Sequence, residues 1–358
     1  MTRFIQLHAL TVYAPSNLNR DDTGRPKTAK FGGVERLRIS SQALKRAIRT
    51  SEAFRTRVGE HRGERTQRLG DEIRKHLEGK KIAAEKAREV AREVAGLFGK
   101  IKPEGAKNKE GRDISTYIEQ LAFVSPEERS AAIALADRVA GGEALPAKTE
   151  PLVHEILRKA DTATDIAMFG RMLADNPEFN REAAVQVAHA ITTHKVEVED
   201  DFYTAVDDLK RPTEDAGAGF IGELGFGSGV FYIYACIDRD LLERNLGGDK
   251  GLAGTAIGAF MEGLATASPT GKQASFASRA RASYLRIEKG SQQPRSLAAA
   301  FFKPVRSEDM LSKSVEKIEK LAADMIDAYG PCFDGSPYIM HVGNGGSLGE
   351  AIRYATEE

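Results

Sequence analysis

The stretch FGGVERLRISSQALKRAIR, residues 31–49, contains a short strand that runs directly into a helix. In the strand, apolar Leu37 and Ile39 alternate with polar residues on the opposite face, namely Arg36, Arg38 and Ser40. A two-residue period of this kind is typical of a strand with one buried and one polar face. The stretch therefore predicts a βα unit whose strand has a largely cationic face.

The helix that follows also has two faces. Its apolar residues Leu44, Ala47 and Ile48 share one side, and the other side carries Gln42, Lys45 and Arg49. The two polar faces meet at a helix N-terminus, where free backbone N–H groups favour anions. This arrangement predicts a binding site for phosphate groups, although the solvated surface of an ordinary βα unit has the same pattern.

Length and composition limit the possible classes of protein. The chain has 358 residues, enough for two domains or one core with a large insertion, and 41% of them are hydrophobic. Its N-terminal segment does not resemble a signal peptide, and no apolar run is long enough to cross a membrane. Two cysteines, Cys236 and Cys332, provide neither a disulfide framework nor a metal quartet. We therefore expect a cytoplasmic protein without membrane, metal or cofactor.

The net charge is zero, but the charges are unevenly distributed. Residues 20–49 contain 9 Lys/Arg and 3 Asp/Glu, and residues 55–112 contain 17 Lys/Arg and 10 Asp/Glu. Acidic residues are concentrated in VEVEDDFYTAVDDL, residues 196–209. The local field guides the binding of a polyanion, so the basic N-terminal third permits a nucleic-acid partner.

Hydrophobic periodicity divides the chain into three blocks. The first predicts a strand over 4–13, a long polar loop, a strand over 34–40 and a helix over 41–55. The second, residues 54–190, shows helical spacing without strand signals, and helical spacing continues through REAAVQVAHAITTH, residues 181–194. The third mixes strands and helices. Two strand-like runs, 196–205 and 220–226, flank a turn-rich linker and predict a long β-hairpin. We expect an α+β fold with a split, ferredoxin-like or RRM-like core.

Catalytic and metal-binding motifs are not recognisable. His189 and His194 are five residues apart, which does not match the spacing of a zinc helix. The glycine-rich GNGGSLG at 343–349 lacks the Lys-Ser/Thr of a phosphate loop. No nucleophile, base and orienting group converge in the sequence, so we expect a protein that is not an enzyme.

Four stretches carry a resemblance to a known family. They are SNLNRDDTGRPKTAKFGGVERLRISSQALKRAIR, DIAMFGRM, HAITTHKVEVEDDFYTAVDDL and FGSGVFYIYACI. Together they closely resemble CasC, the repeated backbone subunit of the type I-E CRISPR surveillance complex Cascade. The order of the blocks agrees over nearly the whole chain, whereas the middle helices and the C-terminal third are only loosely similar.

The resemblance implies a hand-like architecture. A modified RRM core would form the palm from residues 1–53 and 229–358, with helical fingers at 54–190 and a hairpin thumb at 191–228. Copies of the subunit would form a helical filament along the spacer of a guide RNA, together with other Cascade subunits. Each thumb would displace one guide base at regular intervals, and target DNA would pair with the bases between them.

The resemblance also assigns residues to these roles. Those expected to bind guide RNA are Arg20, Lys27, Arg38, Ser40, Gln42, Lys45, Arg49, Arg171 and Met172. Met172 would be the apolar wedge near the displaced base, and Tyr203 and Ile221 of the thumb would lie beside that base. Arg36 and Arg46 are chemically suitable but less clearly supported by the family motif.

The chain departs from the family in its finger region, where residues 125–160 lack a lysine-rich stripe that can attract duplex DNA. The basic excess lies earlier, and we expect Lys100, Lys102, Lys107 and Lys109 to assist the capture of target DNA. A solvated flexible loop is the alternative explanation for these four lysines.

Two other functions remain open from sequence. One is an RNA endonuclease on an RRM-like core, for which His8, His189 and Asp22 are the available catalytic candidates. The other is an RNA-binding filament without guide specificity. Cleavage of repeat RNA in the presence of Mg²⁺ would distinguish the endonuclease.

Overall fold

The computed structural model describes residues 3–144, 150–173, 176–205 and 220–357. The strands in these residues are β1 (Phe4–Ser16), β2 (Thr28–Phe31), β3 (Val34–Ile39), β4 (Glu64–Thr66), β5 (Ala122–Val124), β6 (Val185–Val187), β7 (Ala190–Thr192), β8 (Glu199–Ala205), β9 (Phe220–Asp238), β10 (Ala282–Gly290) and β11 (Tyr338–His341).

The helices in the same residues are α1 (Ser41–Thr50), α2 (Glu52–Val58), α3 (Leu69–Gly79), α4 (Ala84–Ala95), α5 (Pro126–Ala140), α6 (Glu150–Ile156), α7 (Thr164–Phe169), α8 (Arg239–Asn245), α9 (Lys250–Thr266), α10 (Gln273–Phe276), α11 (Met310–Tyr329) and α12 (Leu348–Thr356). Two short 3₁₀ segments lie at Pro177–Phe179 and Ala298–Phe301.

One antiparallel sheet organises the first of two compact units. Its strand order is β11-β10-β1-β9-β7-β3-β2, and β6 and β8 also pair with β9. This unit comprises residues 1–55, 186–238 and 257–358. Its core includes Tyr232, Tyr284, Phe301 and Ile318, which are all buried. An antiparallel sheet with separate helices confirms the expected α+β class.

Strand β9 belongs to both the sheet and a hairpin. Its C-terminal half pairs with β1, from Gly229 opposite Tyr13 to Asp238 opposite Phe4. Its N-terminal half pairs with β8, from Phe226 opposite Glu199 to Phe220 opposite Ala205. The hairpin is thus a continuation of a central strand. The linker predicted between its strands lies outside the described residues.

The second unit comprises residues 56–185 and 239–256. Helices α3, α4, α5 and α6 contribute Ile73, Val90, Leu135 and Val153 to its buried core. Local sequence explains where α5 begins: Ser125 accepts a hydrogen bond from the Glu128 N–H, and the Glu128 carboxylate accepts one from the Ser125 N–H. This reciprocal capping box satisfies two backbone donors that the helix leaves unpaired.

Three sequence predictions need correction. The helix expected over 181–194 is absent; Val185–Val187 and Ala190–Thr192 are instead β6 and β7, because β-branched residues there pair with the long β9. The block expected to lack strands contains the pair β4–β5. The helix expected over 41–55 is interrupted at Ser51, which adopts an extended conformation and whose hydroxyl accepts the Phe54 N–H of α2.

Two further sequence expectations concern the cysteines and membrane-spanning helices. Cys236 and Cys332 are both buried, and neither forms a disulfide. Among the described residues, no helix combines the length and the apolar character needed to span a membrane.

Candidate nucleic-acid interface

Strand β3 and the loop before β2 position two of the expected RNA-binding cations, Arg38 and Lys27. The Arg38 N–H of β3 donates to the carbonyl of Lys27, the residue directly before β2 (2.8 Å), so these two residues are neighbours. Asn19 fixes the loop to this edge: its carbonyl accepts the Lys27 N–H (2.8 Å), and its side-chain oxygen accepts the Ser40 N–H (2.8 Å). The loop is therefore anchored to the start of α1.

Helix α1 begins at this same point. The Ser40 hydroxyl accepts the Ala43 N–H (3.3 Å) and so acts as the N-cap. The Nδ1 atom of His189 accepts the Ser41 N–H (3.2 Å). Two backbone donors expected to attract anions are thus already bound within the protein, and the cationic side chains must provide most of the attraction.

The two faces of α1 agree with the sequence pattern. Leu44, Ala47 and Ile48 are buried. A Cβ atom at Gly263 of α9 would lie 2.8 Å from Ile48, so a glycine permits this close packing. On the opposite face Gln42 is exposed, and Lys45 and Arg49 are half-buried. Burial lowers the pKa of Lys45. We call Lys27, Arg38, Lys45 and Arg49 the α1 cation cluster.

Arg38 is held by hydrogen bonds from its guanidinium. Its Nε donates to the Thr28 carbonyl (3.4 Å), and a terminal nitrogen donates to His189 Nδ1 (3.2 Å). Within the described part of the chain, no carboxylate forms an ion pair with Lys27, Arg38 or Lys45. These three positive charges are consequently available to an external anion.

Arg36 does not share this surface, contrary to the expectation that all polar residues of β3 form one exposed face. It is fully buried, and its guanidinium donates to the carbonyls of Thr192 and Phe301 (2.8 Å each). Arg36 therefore links β3 to the neighbouring strand β7 and to the 3₁₀ segment that ends at Phe301. Arg20, in contrast, is exposed, and so is Arg46.

Arg171 lies in the interior of the helical unit, which is at odds with a phosphate contact by its guanidinium. Its side chain is 1% exposed and lies 2.5 Å from the carboxylate of Glu128, which is 0% exposed. Further bonds reach the carbonyls of Phe123, Arg158 and Phe179. Arg181 forms a neighbouring buried pair with Asp161 (2.5 Å). These four charged residues form a buried ion-pair cluster.

Met172 follows directly and is 81% exposed. The turn that carries it is fixed on both sides. Arg171 exchanges two backbone hydrogen bonds with Arg181 (3.0 and 2.9 Å), and the Leu173 N–H donates to the Asn180 side chain (2.6 Å). Gly170 adopts φ +77°, and a Cβ there would lie 2.8 Å from the Arg181 carbonyl oxygen, so this turn requires glycine. An exposed apolar side chain is thus held on a rigid support.

The hairpin residues expected to form the thumb lie on β8 and β9. Tyr203 and Phe202 are exposed, and the Tyr203 ring packs over Gly222, where a Cβ would lie 2.5 Å from it. Ile221 is part of β9, but its side chain lies outside the described residues. At the base of the hairpin, Arg25 forms an ion pair with Asp200 (2.7 Å). This contact connects the loop before β2 to the hairpin.

The four lysines expected to capture DNA lie in a loop closed by hydrogen bonds. The Lys102 N–H donates to the Tyr117 carbonyl (2.9 Å), and Lys107 forms an isolated bridge with Asp113. Lys107 and Lys109 are exposed, and Lys100 pairs with Glu119 (3.1 Å). Their role in DNA capture stays a prediction.

The candidates for an endonuclease site are not brought together. His8 is fully buried in β1, where its Nδ1 bonds the Tyr232 hydroxyl (2.9 Å), so it cannot reach a substrate phosphate. Asp22 is exposed in the loop before β2, and His189 is bound to Arg38 and Ser41. The described residues contain no group of three His, Cys, Asp or Glu side chains suited to a metal ion.

Two supporting residues were missed by sequence reasoning. Asn19 lies in the polar loop before β2, and nothing in its local sequence pattern indicates the bond to Ser40. Glu128 was detectable in part, because SPEE at 125–128 matches the capping-box signature. Its second bond, to Arg171, depends on tertiary structure.

The chain has an α+β fold whose antiparallel sheet continues into a hairpin, and three cations of the α1 cation cluster, Lys27, Arg38 and Lys45, form no ion pair with a carboxylate of the described residues. These features define a class of protein with a candidate anion-binding surface. The chain belongs to the CT1975-like protein family, whose model matches residues 5–342. A search of curated proteins gave no match.

Two solved structures are similar over almost the whole chain. One is described as "CRISPR RNA-guided surveillance complex, pre-nicking"; the matched chain is 29% identical with a TM-score of 0.84, and the match covers 98% of this chain and 100% of that chain. The other, "CRISPR RNA-guided surveillance complex", is 26% identical with a TM-score of 0.70, over 96% and 93% of the two chains.

Proposed function

We propose that this protein is a subunit of a Cascade-type CRISPR surveillance complex and binds its guide RNA. The α1 cation cluster carries the proposal, because three of its charges have no carboxylate partner among the described residues. Positive charge of this kind binds the RNA backbone without reading its sequence. The full-length similarity to chains of RNA-guided surveillance complexes supports the same function.

In the finer form of the proposal, the protein is the repeated, non-catalytic backbone subunit of a type I-E complex. The sheet and its helices form a modified RRM-like palm, the helical unit forms the fingers, and the β8–β9 hairpin forms the thumb. Copies assemble in a head-to-tail filament along the spacer, and target DNA pairs with the exposed guide bases.

Met172 and the hairpin supply the base displacement in this proposal. An apolar side chain that is 81% exposed and rigidly supported is suited to packing against a nucleobase. The exposed ring of Tyr203 offers a second stacking surface. Each of these side chains would pack against a guide base, and the α1 cation cluster would bind guide phosphates.

Co-expression with a CRISPR array tests the function. We expect a large particle with several copies of the protein on each RNA, measured by size exclusion with light scattering and by the 260/280 nm absorbance ratio. Lengthening the spacer should raise the mass in steps of whole subunits. An array with scrambled repeats is the control, since equal assembly on it would favour an RNA filament without guide specificity. An RNA-free monomer that cleaves repeat RNA would contradict the proposal.

A further inference from the structure

His189 occupies the junction of three elements in the first unit. It lies just before β7, its Nδ1 atom accepts the Ser41 N–H at the start of α1 (3.2 Å), and the same atom contacts the Arg38 guanidinium of β3 (3.2 Å). A backbone N–H and a guanidinium can only donate hydrogen bonds. Nδ1 must therefore be the acceptor for both, and the imidazole is neutral with its proton on Nε2.

We infer that His189 is a positioning residue for guide binding, whose neutral imidazole fixes the Arg38 guanidinium against the start of α1. The inference rests on the proposed function, because Arg38 is expected to contact a phosphate. Arg38 has several rotatable bonds, and a guanidinium already held in place loses less entropy when it binds. The remaining bond, to the Thr28 carbonyl at 3.4 Å, is long and orients only Nε.

The charges around His189 give this role a pH dependence. Arg38 of β3 and Lys27 before β2 face the imidazole, and Ser41 faces it from α1. Burial, followed by the charges of Arg38 and Lys27, lowers the pKa of His189. Protonation of Nδ1 would abolish both accepted bonds and release Arg38. RNA binding should therefore weaken on acidification, whereas a histidine that contacts phosphate as a cation would strengthen it.

The test measures binding of a fluorescent single-stranded RNA of about 30 nucleotides to the full chain by anisotropy, at pH 7.5 and pH 5.5. We expect His189→Ala to weaken binding by about 5- to 10-fold at pH 7.5, the effect of losing one hydrogen bond of ordinary strength. His189→Asn should retain binding within about 2-fold, because its side-chain oxygen can replace Nδ1 as the acceptor. It should also remove the loss at pH 5.5, since asparagine does not titrate.

A double substitution separates positioning from a direct contact. If His189 acts through Arg38, then Arg38→Ala with His189→Ala should bind no more weakly than Arg38→Ala alone. Additive losses, or tighter binding by the parent protein at pH 5.5, would overturn the inference and leave the proposed function intact. Absence of RNA binding by the parent protein at either pH would overturn both.

Discussion

Arg38 and Arg171 carry the same guanidinium but occupy opposite environments. Arg38 is half-buried, and its recorded bonds go to a carbonyl and an imidazole. Arg171 is buried against Glu128 and three carbonyls. A charge buried in this way must be neutralised by its neighbours, and its field outside the protein is correspondingly small. Only the first arginine is placed to attract a polyanion.

The comparison changes the role of the FGRM motif. Arg171 was expected to contact phosphate, whereas in the structure its buried side chain stabilises the turn that exposes Met172. Arg171 is thus a buried structural residue, whereas Met172 is exposed and available for contact with a partner. Such a division cannot be recognised from residue type alone, because arginine serves both in buried ion pairs and in phosphate recognition.

The largest expected effect comes from breaking the buried cluster. Glu128→Ala removes the carboxylate partner of Arg171 and the capping box of α5, so we expect the free energy of unfolding of the helical unit to fall by about 3–5 kcal/mol. Urea titration followed by far-UV circular dichroism measures the loss. Met172→Ala is the matched control, because an exposed side chain should change stability by less than about 0.5 kcal/mol. Equal stability of the Glu128→Ala and Met172→Ala variants would contradict the structural role of the buried ion-pair cluster.

A smaller effect is expected on the polar face of α1. Lys45→Ala with Arg49→Ala should weaken guide binding to any sequence and leave stability almost unchanged. The slope of log affinity against log salt should fall by about 1.4, or about 0.7 for each lost phosphate contact on a single strand. Lys313→Ala with Lys320→Ala is the control, because these lysines of α11 pair with Glu316 and Asp324. If both pairs lower the slope alike, the cluster has no special role.

The smallest effect concerns the loop lysines. Replacing Lys100, Lys102, Lys107 and Lys109 with alanine should reduce non-specific affinity for duplex DNA by a few-fold, since Lys100 is already paired with Glu119. Gel-shift titration of the assembled complex with a duplex that lacks a target site measures this change. An unaltered affinity would favour the solvated loop, and a change in guide retention would place the lysines on RNA.

Much of the fold was accessible from the sequence. The strands β1 and β3 were predicted from periodicity, and each lies where it was expected. The apolar face of α1 was assigned residue by residue. A local pattern suffices for α1, because only its apolar face is buried.

The errors have tertiary causes. Segment 181–194 has helical spacing, but pairing with β9 overrides that preference. Arg36 follows the alternation of its strand correctly, but its face is covered by the segment around Phe301 rather than by water. His189 was considered as a zinc ligand and as a catalytic candidate, and its contacts with Ser41 and Arg38 were not foreseen because they join residues that are 148 and 151 positions apart.

The continuity of β9 constrains how the hairpin can change. Side chains alternate between the two faces along β9, which continues from the sheet into the hairpin. The orientation of each hairpin side chain on β9 therefore depends on its distance along the strand from the sheet. Deleting one residue between Phe226 and Gly229 would turn every hairpin side chain beyond it to the opposite face. Insertions that preserve the orientation of Phe202 and Tyr203 must therefore occur in pairs. The sheet thus determines which face each hairpin side chain occupies, even for residues far from the core.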